Sequence, residues 1–389
     1  MFASGSRDGS GHRRVCAAAR SPVAVVIARC CALVVWLLLP ACGGDSGVAE
    51  DLPASVSGLS GDTYLVSWRE PGAVGRAADA FDPLRAFVDV LGLRPSGDQD
   101  GNVHLRSDEV ATGWDSLGDS KIFQAAWRAR PEVAADRWLF CDLQCAVDLA
   151  LLRLAELDPS APRLAEALAL PTLEWAIAGS RRAGPETLVD GRIRSSGSGV
   201  GLVALIGPPV GTSLLGPRRA SDRLRVELSV QRVVARMMTD VWLSGDARLG
   251  SPADAVVAAF GPMLRKLVRQ FDGQISFRID EEGRFLLAAG IRQGAGEELA
   301  ETLDRSLEEV DSYRWKLRGD FVVSIDGDRL LVSDGGVDHE SDEVRREEAL
   351  SIDGSAAVWI RLPGGERATA ELRRDDEQTL SLRASIGPD

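Results

Sequence analysis

The sequence contains little of what most enzyme sites and nucleic-acid-binding surfaces require. Its 389 residues include three histidines and six cysteines, and Lys121, Lys266 and Lys316 are its only lysines. The formal net charge is −13. An acidic body repels phosphate backbones and anionic lipid head groups, so we do not expect nucleic acid as a partner or a broad basic membrane-binding surface.

Motifs for the common chemistries are also missing. Beyond His12, the two histidines His104 and His339 stand far apart, and no His-x-x-x-His or Cys-x-x-Cys pattern occurs, which argues against a zinc site. The Gly-Ser-Gly at residues 197–199 is framed neither as a Gly-x-Ser-x-Gly elbow nor as a phosphate-binding loop. We therefore expect no catalytic residues, no metal and no cofactor.

The N-terminus has the pattern of an export signal. Five arginines, including Arg13, Arg14, Arg20 and Arg29, precede an apolar run from Cys30 to Leu39. About ten apolar residues are too few to cross a bilayer as a helix, but they suit the core of a secretory signal. Two alternatives are an uncleaved anchor helix over residues 23–39, which Arg29 would interrupt at a cost of several kcal/mol, and twin-arginine export through Arg13 and Arg14.

The end of this run, Leu39-Pro40-Ala41-Cys42, resembles the lipobox of bacterial lipoproteins. The resemblance implies cleavage before Cys42 and attachment of lipid to its thiol, which makes the membrane a partner through a lipid anchor. Residues 1–41 would then be a lipoprotein signal peptide. Since Gly43, and not Asp, follows the cysteine, the resemblance implies the outer membrane as the location if the host is diderm.

Residues 42–61 are rich in Gly, Ser, Pro and Asp and lack apolar periodicity, so they are predicted to form a flexible tether. The chain beyond the tether alternates β-rich runs with amphipathic stretches. Residues 63–68 are predicted to form a strand, and residues 172–178, 187–194 and 201–206 an antiparallel meander.

A strand-then-helix pattern occurs twice. Residues 222–228 align with residues 136–142 at an offset of 86, and each segment precedes a helical run. We therefore predict an α+β fold with two related units of antiparallel sheet and helices packed on one face, spanning residues 62–220 and 221–389. The Gly- and Pro-rich run from Gly207 to Pro217 is the best candidate for a linker.

Two cysteines, Cys141 and Cys145, lie outside the leader. In an oxidising compartment they could form a local disulfide if their Cβ atoms approach to about 3.8 Å. The alternatives are two buried structural thiols at the start of a helix or, less in keeping with their spacing, a redox pair.

The body resembles a group of uncharacterised exported bacterial proteins of unknown function. The matching segments are Pro53 with Asp62–Trp68, Leu91-Gly92, Leu170–Leu173 with Asp190-Gly191, and Asp222–Leu228. The resemblance extends over most of the mature chain and implies no activity.

These observations favour a lipid-anchored cell-envelope protein with a non-enzymatic binding or structural role, for which another envelope protein is a candidate partner. An alternative is a carrier whose sheet and helices enclose an apolar or acyl ligand. A third hypothesis, a hydrolase that uses scattered carboxylates, has the least support from the sequence.

Overall fold

The computed structural model describes residues 52–69, 96–97, 103–106, 115–157, 170–197, 202–243, 263, 265–316, 321–334, 351–362 and 365–388. The predicted signal peptide, Cys42 and residues 43–51 of the predicted tether lie outside the described residues. The second half of the predicted tether, residues 52–61, is described and packs against the body: Ala54–Ser57 form a helix, and Val56 is fully buried.

Strands dominate the described part of the chain. Their bounds are β1 Thr63–Arg69, β2 Ser96–Gly97, β3 Val103–Arg106, β4 Arg137–Asp142, β5 Leu173–Ala183, β6 Glu186–Ser195, β7 Gly211–Thr212, β8 Asp222–Ser229, β9 Phe271–Asp280, β10 Phe285–Ile291, β11 Glu308–Asp311, β12 Arg314–Lys316, β13 Val322–Asp326, β14 Arg329–Ser333, β15 Ser351–Ile352, β16 Ala356–Arg361, β17 Glu366–Arg374 and β18 Thr379–Pro388. Sixteen of them form one antiparallel sheet in the order β11-β12-β13-β14-β10-β9-β8-β16-β17-β18-β6-β5-β4-β1-β3-β2.

Helices are fewer and mostly short. Their bounds are α1 Ala54–Ser57, α2 Lys121–Arg128, α3 Leu143–Leu157, α4 Leu202–Leu205, α5 Arg232–Leu243 and α6 Gly296–Asp304. A further helical segment over residues 265–270 leads directly into β9. Across the ranges that the structure describes, none of these helices is long and apolar enough to cross a membrane.

The predicted fold class is wrong. The prediction was α+β, with two units of sheet each carrying helices on one face, whereas the chain is mostly β and builds a single large antiparallel sheet. Short β-rich segments predict strands, but the sequence of such a segment does not show which distant strand it pairs with. Strands from both predicted units therefore pair into one sheet, and helices contribute less than the apolar runs suggested.

Several local predictions are confirmed. β1 occupies the predicted first strand, and β4 and β8 are each followed by a helix, α3 and α5. Each helix then leads to an antiparallel hairpin, β5–β6 in the first case and β9–β10 in the second. The predicted strand over residues 201–206 is wrong, because Leu202–Leu205 form the short helix α4.

An aromatic cluster forms the core on one face of the sheet near β1. Ser120 caps α2 by accepting a hydrogen bond from the backbone N–H of Phe123, and this helix packs Phe123 and Trp127 against the sheet. The Phe123 and Phe140 rings meet edge to face at 5.0 Å between centroids. Such contacts add about 1 kcal/mol to the burial of each ring.

The predicted linker is part of a strap that lies on the sheet. Residues 207–221, called the strap below, carry Ser213 and Leu215, which are both buried. Leu215 packs against Leu286 of β10 and Leu331 of β14. Gly and Pro residues ended the periodic pattern as expected, but the segment is packed structure and not an exposed spacer.

The C-terminal strands connect the two predicted units. β16 pairs with β8 of the second unit, and β18 pairs with β6 of the first. The division into domains at residues 62–220 and 221–389 stays a prediction, since pairing within a sheet does not test whether either part folds alone.

Candidate functional site

Strands β8, β9 and β10 present a grid of nine apolar side chains on one face of the sheet, called the apolar grid below. Directly paired residues of antiparallel strands point to the same face, and alternate residues along a strand share it. The pairing registers therefore define three rows, which are Leu224–Ile279–Phe285, Val226–Phe277–Leu287 and Leu228–Ile275–Ala289.

All nine side chains of the apolar grid are only half-buried. Phe277 and Phe285 pack at 6.2 Å between ring centroids, and Phe285 contacts Phe321, which is itself 42% exposed. The rows span about 13 Å along the strands and about 10 Å across them. Contiguous apolar surface that stays partly accessible to solvent can mark a site for an apolar ligand or partner.

On the opposite face, β8 and β9 carry polar side chains that are buried beneath the strap. Arg225, Glu227 and Ser276 each have a relative exposure of 0%. Arg225 Nε donates to Glu227 Oε1 at 2.8 Å, Ser213 Oγ donates to the same oxygen at 2.6 Å, and Ser276 Oγ donates to Glu227 Oε2. The strap thus supplies partners that make burial of this ion pair tolerable.

Backbone groups of the strap complete this network. The N–H groups of Leu214 and Leu215 donate to Ser276 Oγ and Ser213 Oγ, at 3.2 and 3.0 Å, and Arg225 Nη2 donates to the carbonyl of Gly216 at 2.5 Å. The network fixes the strap to β8 and β9. It also covers this face, whereas the side chains of the apolar grid on the other face are partly accessible to solvent.

Further cationic side chains lie close to the buried ion pair. Burial, together with the nearby guanidinium of Arg219, lowers the pKa of Arg278 to about 10. Asp222 counters part of this charge, since its carboxylate lies 3.8 Å from Arg225 Nη1. Because Arg225 and Glu227 have several partners within the protein, we interpret this network as structural: it holds the strap against the sheet.

Helical elements limit the apolar grid at its β10 side. Leu267 of the helical segment packs into a cluster with Leu299 and Leu303 of α6 and with Trp315 of β12. Ala289 of the grid contacts the same cluster. The grid is therefore a face bordered by helices and not a flat exposed sheet.

Cys141 and Cys145 lie together at the junction of β4 and α3. Both side chains are buried, and the disulfide between them stays a prediction. Burial raises the pKa of the Cys141 thiol well above its usual value, and burial together with the two cysteines raises the pKa of Tyr64. Since the thiolate is the reactive form, this environment favours inert structural thiols over redox chemistry.

The remaining predicted site residue, Cys42, lies outside the described residues. Within the part of the chain that the structure describes, no group of three or more His, Cys, Asp or Glu side chains is placed to hold a metal ion.

Reasoning from the sequence identified β8 but missed the apolar grid. The signal was present as the alternation of Leu224, Val226 and Leu228 with charged residues. Alternation indicates that a strand has two different faces, but it does not say which face will be covered.

Comparisons with known proteins provide no function. No family model matches the chain, and no curated protein matches it. One solved structure, described as "Structure of crystal form IV of TP0453", matches with 8% sequence identity over 45% of this chain and 93% of that chain, with a TM-score of 0.25. Similarity at this level does not establish a shared fold.

Proposed function

We propose that this protein is a lipid-anchored cell-envelope protein whose body binds an apolar or acyl ligand on the apolar grid, without catalysing a reaction. The observation that supports ligand binding is the row-by-row alignment of nine half-buried apolar side chains on β8, β9 and β10. Each methylene group of a ligand that leaves water for such a surface contributes about 0.8 kcal/mol.

The anchor is proposed from the lipobox. Cys42 would carry the lipid, and Gly43 would direct the protein to the outer membrane of a diderm host. The buried polar network supports binding indirectly, because it holds the strap on the opposite face of these strands. Binding sites are mostly apolar and largely preformed, as this face is.

Lipidation is tested by metabolic labelling with a fatty-acid analogue. Cys42→Ala is expected to lose the label and to leave the membrane fraction, because the acylated thiol would be missing. The control is Cys31→Ala, which changes a leader cysteine outside the lipobox and should leave both readouts as in the wild type. Unchanged labelling and membrane residence of Cys42→Ala would refute the anchor.

Ligand binding is tested with a photoreactive fatty acid supplied to cells that express the full chain. After irradiation and digestion, light-dependent adducts are expected on peptides that cover β8, β9 and β10. Peptides from β5 and β6 serve as the internal control, and lipidation at Cys42 is distinguished because it does not need light. Adducts spread evenly over the body, or none, would contradict the proposal.

A further inference from the structure

A cavity of about 320 Å³ lies between α5, the helical segment over residues 265–270 and the end of β10. The described residues that line it include four arginines, Arg236, Arg265, Arg269 and Arg292, and one carboxylate, that of Asp240. This concentration of positive charge occurs in a chain whose formal net charge is −13. The overall charge therefore does not describe the local electrostatic field at this cavity.

Among the described residues, most of this positive charge has no carboxylate partner inside the cavity. Arg265 is the exception, since its Nε lies 3.6 Å from Asp240 Oδ1. Arg236 donates through Nη2 to the carbonyl of Arg269 at 2.8 Å, while its buried Nε has no hydrogen-bond partner in the part of the chain that the structure describes. Among the described residues, Arg269 and Arg292 form no ion pair.

The cavity lies at one end of the apolar grid. Gln270 directly precedes β9 and Arg292 directly follows β10, and the Arg292 N–H donates to the Gln270 carbonyl at 2.8 Å. The row of the grid nearest to this end of the strands is Leu228–Ile275–Ala289. An arginine-lined cavity thus stands at the same end of the strands as an apolar row.

We propose that the cavity binds the anionic head group, a carboxylate or a phosphate ester, of an amphiphile whose apolar chain lies on the apolar grid. This inference rests on the proposed function and names the class of its ligand. Guanidinium groups bind carboxylates and phosphates through short, charge-assisted hydrogen bonds. The volume falls within the range of small-molecule pockets, and a few polar groups beside an apolar lining are what orients a ligand there.

The test compares a photoreactive fatty acid with the fatty alcohol of the same chain, in membranes that contain the full chain. In the double variant Arg269→Gln/Arg292→Gln, labelling of the β8–β10 peptides by the acid is expected to fall about tenfold, because two cationic partners are lost. Labelling by the alcohol should stay as in the wild type.

The matched control is Arg223→Gln/Arg232→Gln. It removes the same charge at two exposed arginines that do not line the cavity, and it should leave both labelling reactions unchanged. The head-group assignment is overturned if labelling by the fatty acid is unchanged in Arg269→Gln/Arg292→Gln, or if it falls equally in the control variant. Either result would leave the proposal of ligand binding on the apolar grid unaffected. Failure of both probes to label the wild type would instead refute the proposed function.

Inorganic phosphate distinguishes a free anion from a lipid head group. Added alone, it should lower labelling by the acid less than about twofold, because it lacks the chain that supplies most of the binding free energy. Complete loss of acid labelling in its presence would overturn the amphiphile and assign the cavity to a free anion.

Discussion

At the scale of single residues, the buried tyrosine next to two thiols has consequences for alkaline stability. Tyr64 is 3% exposed, and its hydroxyl has no hydrogen-bond partner among the described residues. Burial is the largest cause that raises the pKa of both Tyr64 and Cys141. The folded state therefore keeps these protons at a pH where the unfolded chain has lost them.

This difference predicts a loss of stability at high pH. Below the ordinary pKa values of 9.0 for the thiol and 10.0 for the phenol, both groups are protonated in both states and the full stabilisation is present. As pH rises above these values, the unfolded state binds fewer protons, so the free energy of unfolding falls. Tyr64→Phe should make this decline shallower, as measured by denaturant unfolding followed by tryptophan fluorescence.

Tyr64→Phe should not destabilise the protein at neutral pH. Removal of a buried hydroxyl without a partner is expected to leave the free energy of unfolding unchanged or to raise it by about 1 kcal/mol. The control is Tyr313→Phe, since Tyr313 is the only other tyrosine and is 49% exposed. If both variants show the same alkaline profile, burial of Tyr64 is not its cause.

At the scale of elements, strands and helices could be predicted where a local pattern suffices. The passage from β4 into α3 follows from a β-rich run that meets an apolar helical run, and Asp142 accepts a hydrogen bond from the Cys145 N–H at the helix start. Residues 201–206 were misassigned because a short apolar run fits a strand or a helix equally well.

The strap is the element that the sequence described least well. Its Gly and Pro residues suggest a linker, yet Arg225 and Glu227 hold it against the sheet. Apolar side chains of a strand are usually more buried than its charged ones. In β8 the opposite holds, since these two charged residues are fully buried while Leu224 and Val226 are only half-buried. Charged side chains can be buried there because the strap brings hydrogen-bond partners to them.

Arg225→Met is expected to lower the free energy of unfolding by about 3–5 kcal/mol, because Glu227 would remain buried without its charge partner. The amide protons of Leu214 and Leu215 should also exchange faster with solvent, as measured by hydrogen exchange, while those of β5 and β6 stay protected.

The control for this prediction is Arg223→Met on the same strand, which changes an exposed arginine and should cost less than about 0.5 kcal/mol. The double variant Arg225→Met/Glu227→Leu should recover part of the lost stability, since no unpaired charge is left behind. Equal stability of Arg225→Met and Arg223→Met would show that the buried pair does not hold the strap.

At the scale of the whole molecule, β18 is a central strand although it is the last one in sequence. It pairs along its length with β17 and β6, and through them it connects the strands of the two predicted units. Leu382 in this strand is 0% exposed. Disruption here should therefore affect the entire sheet and not a local edge.

Leu382→Pro is expected to destabilise the protein by about 3 kcal/mol or more, because proline removes a ladder hydrogen bond from a strand paired on both sides. The matched control is Val310→Pro in the edge strand β11, where Val310 is 61% exposed and falls at a register shift between paired residues. Circular dichroism melting would measure both. A control variant that melts as early as Leu382→Pro would contradict the central role of β18.

The sequence by itself determined most of the strands and the strand–helix passages, and it is the basis for the proposed export signal and lipid site at Cys42, because each depends on residues that are close in the chain. Only the tertiary structure decided that the strands form one sheet, that the strap covers Arg225 and Glu227, and that the half-buried apolar grid lies near an arginine-lined cavity. These features depend on which distant segments cover a surface, and periodicity along a strand defines two faces without saying what will pack on either.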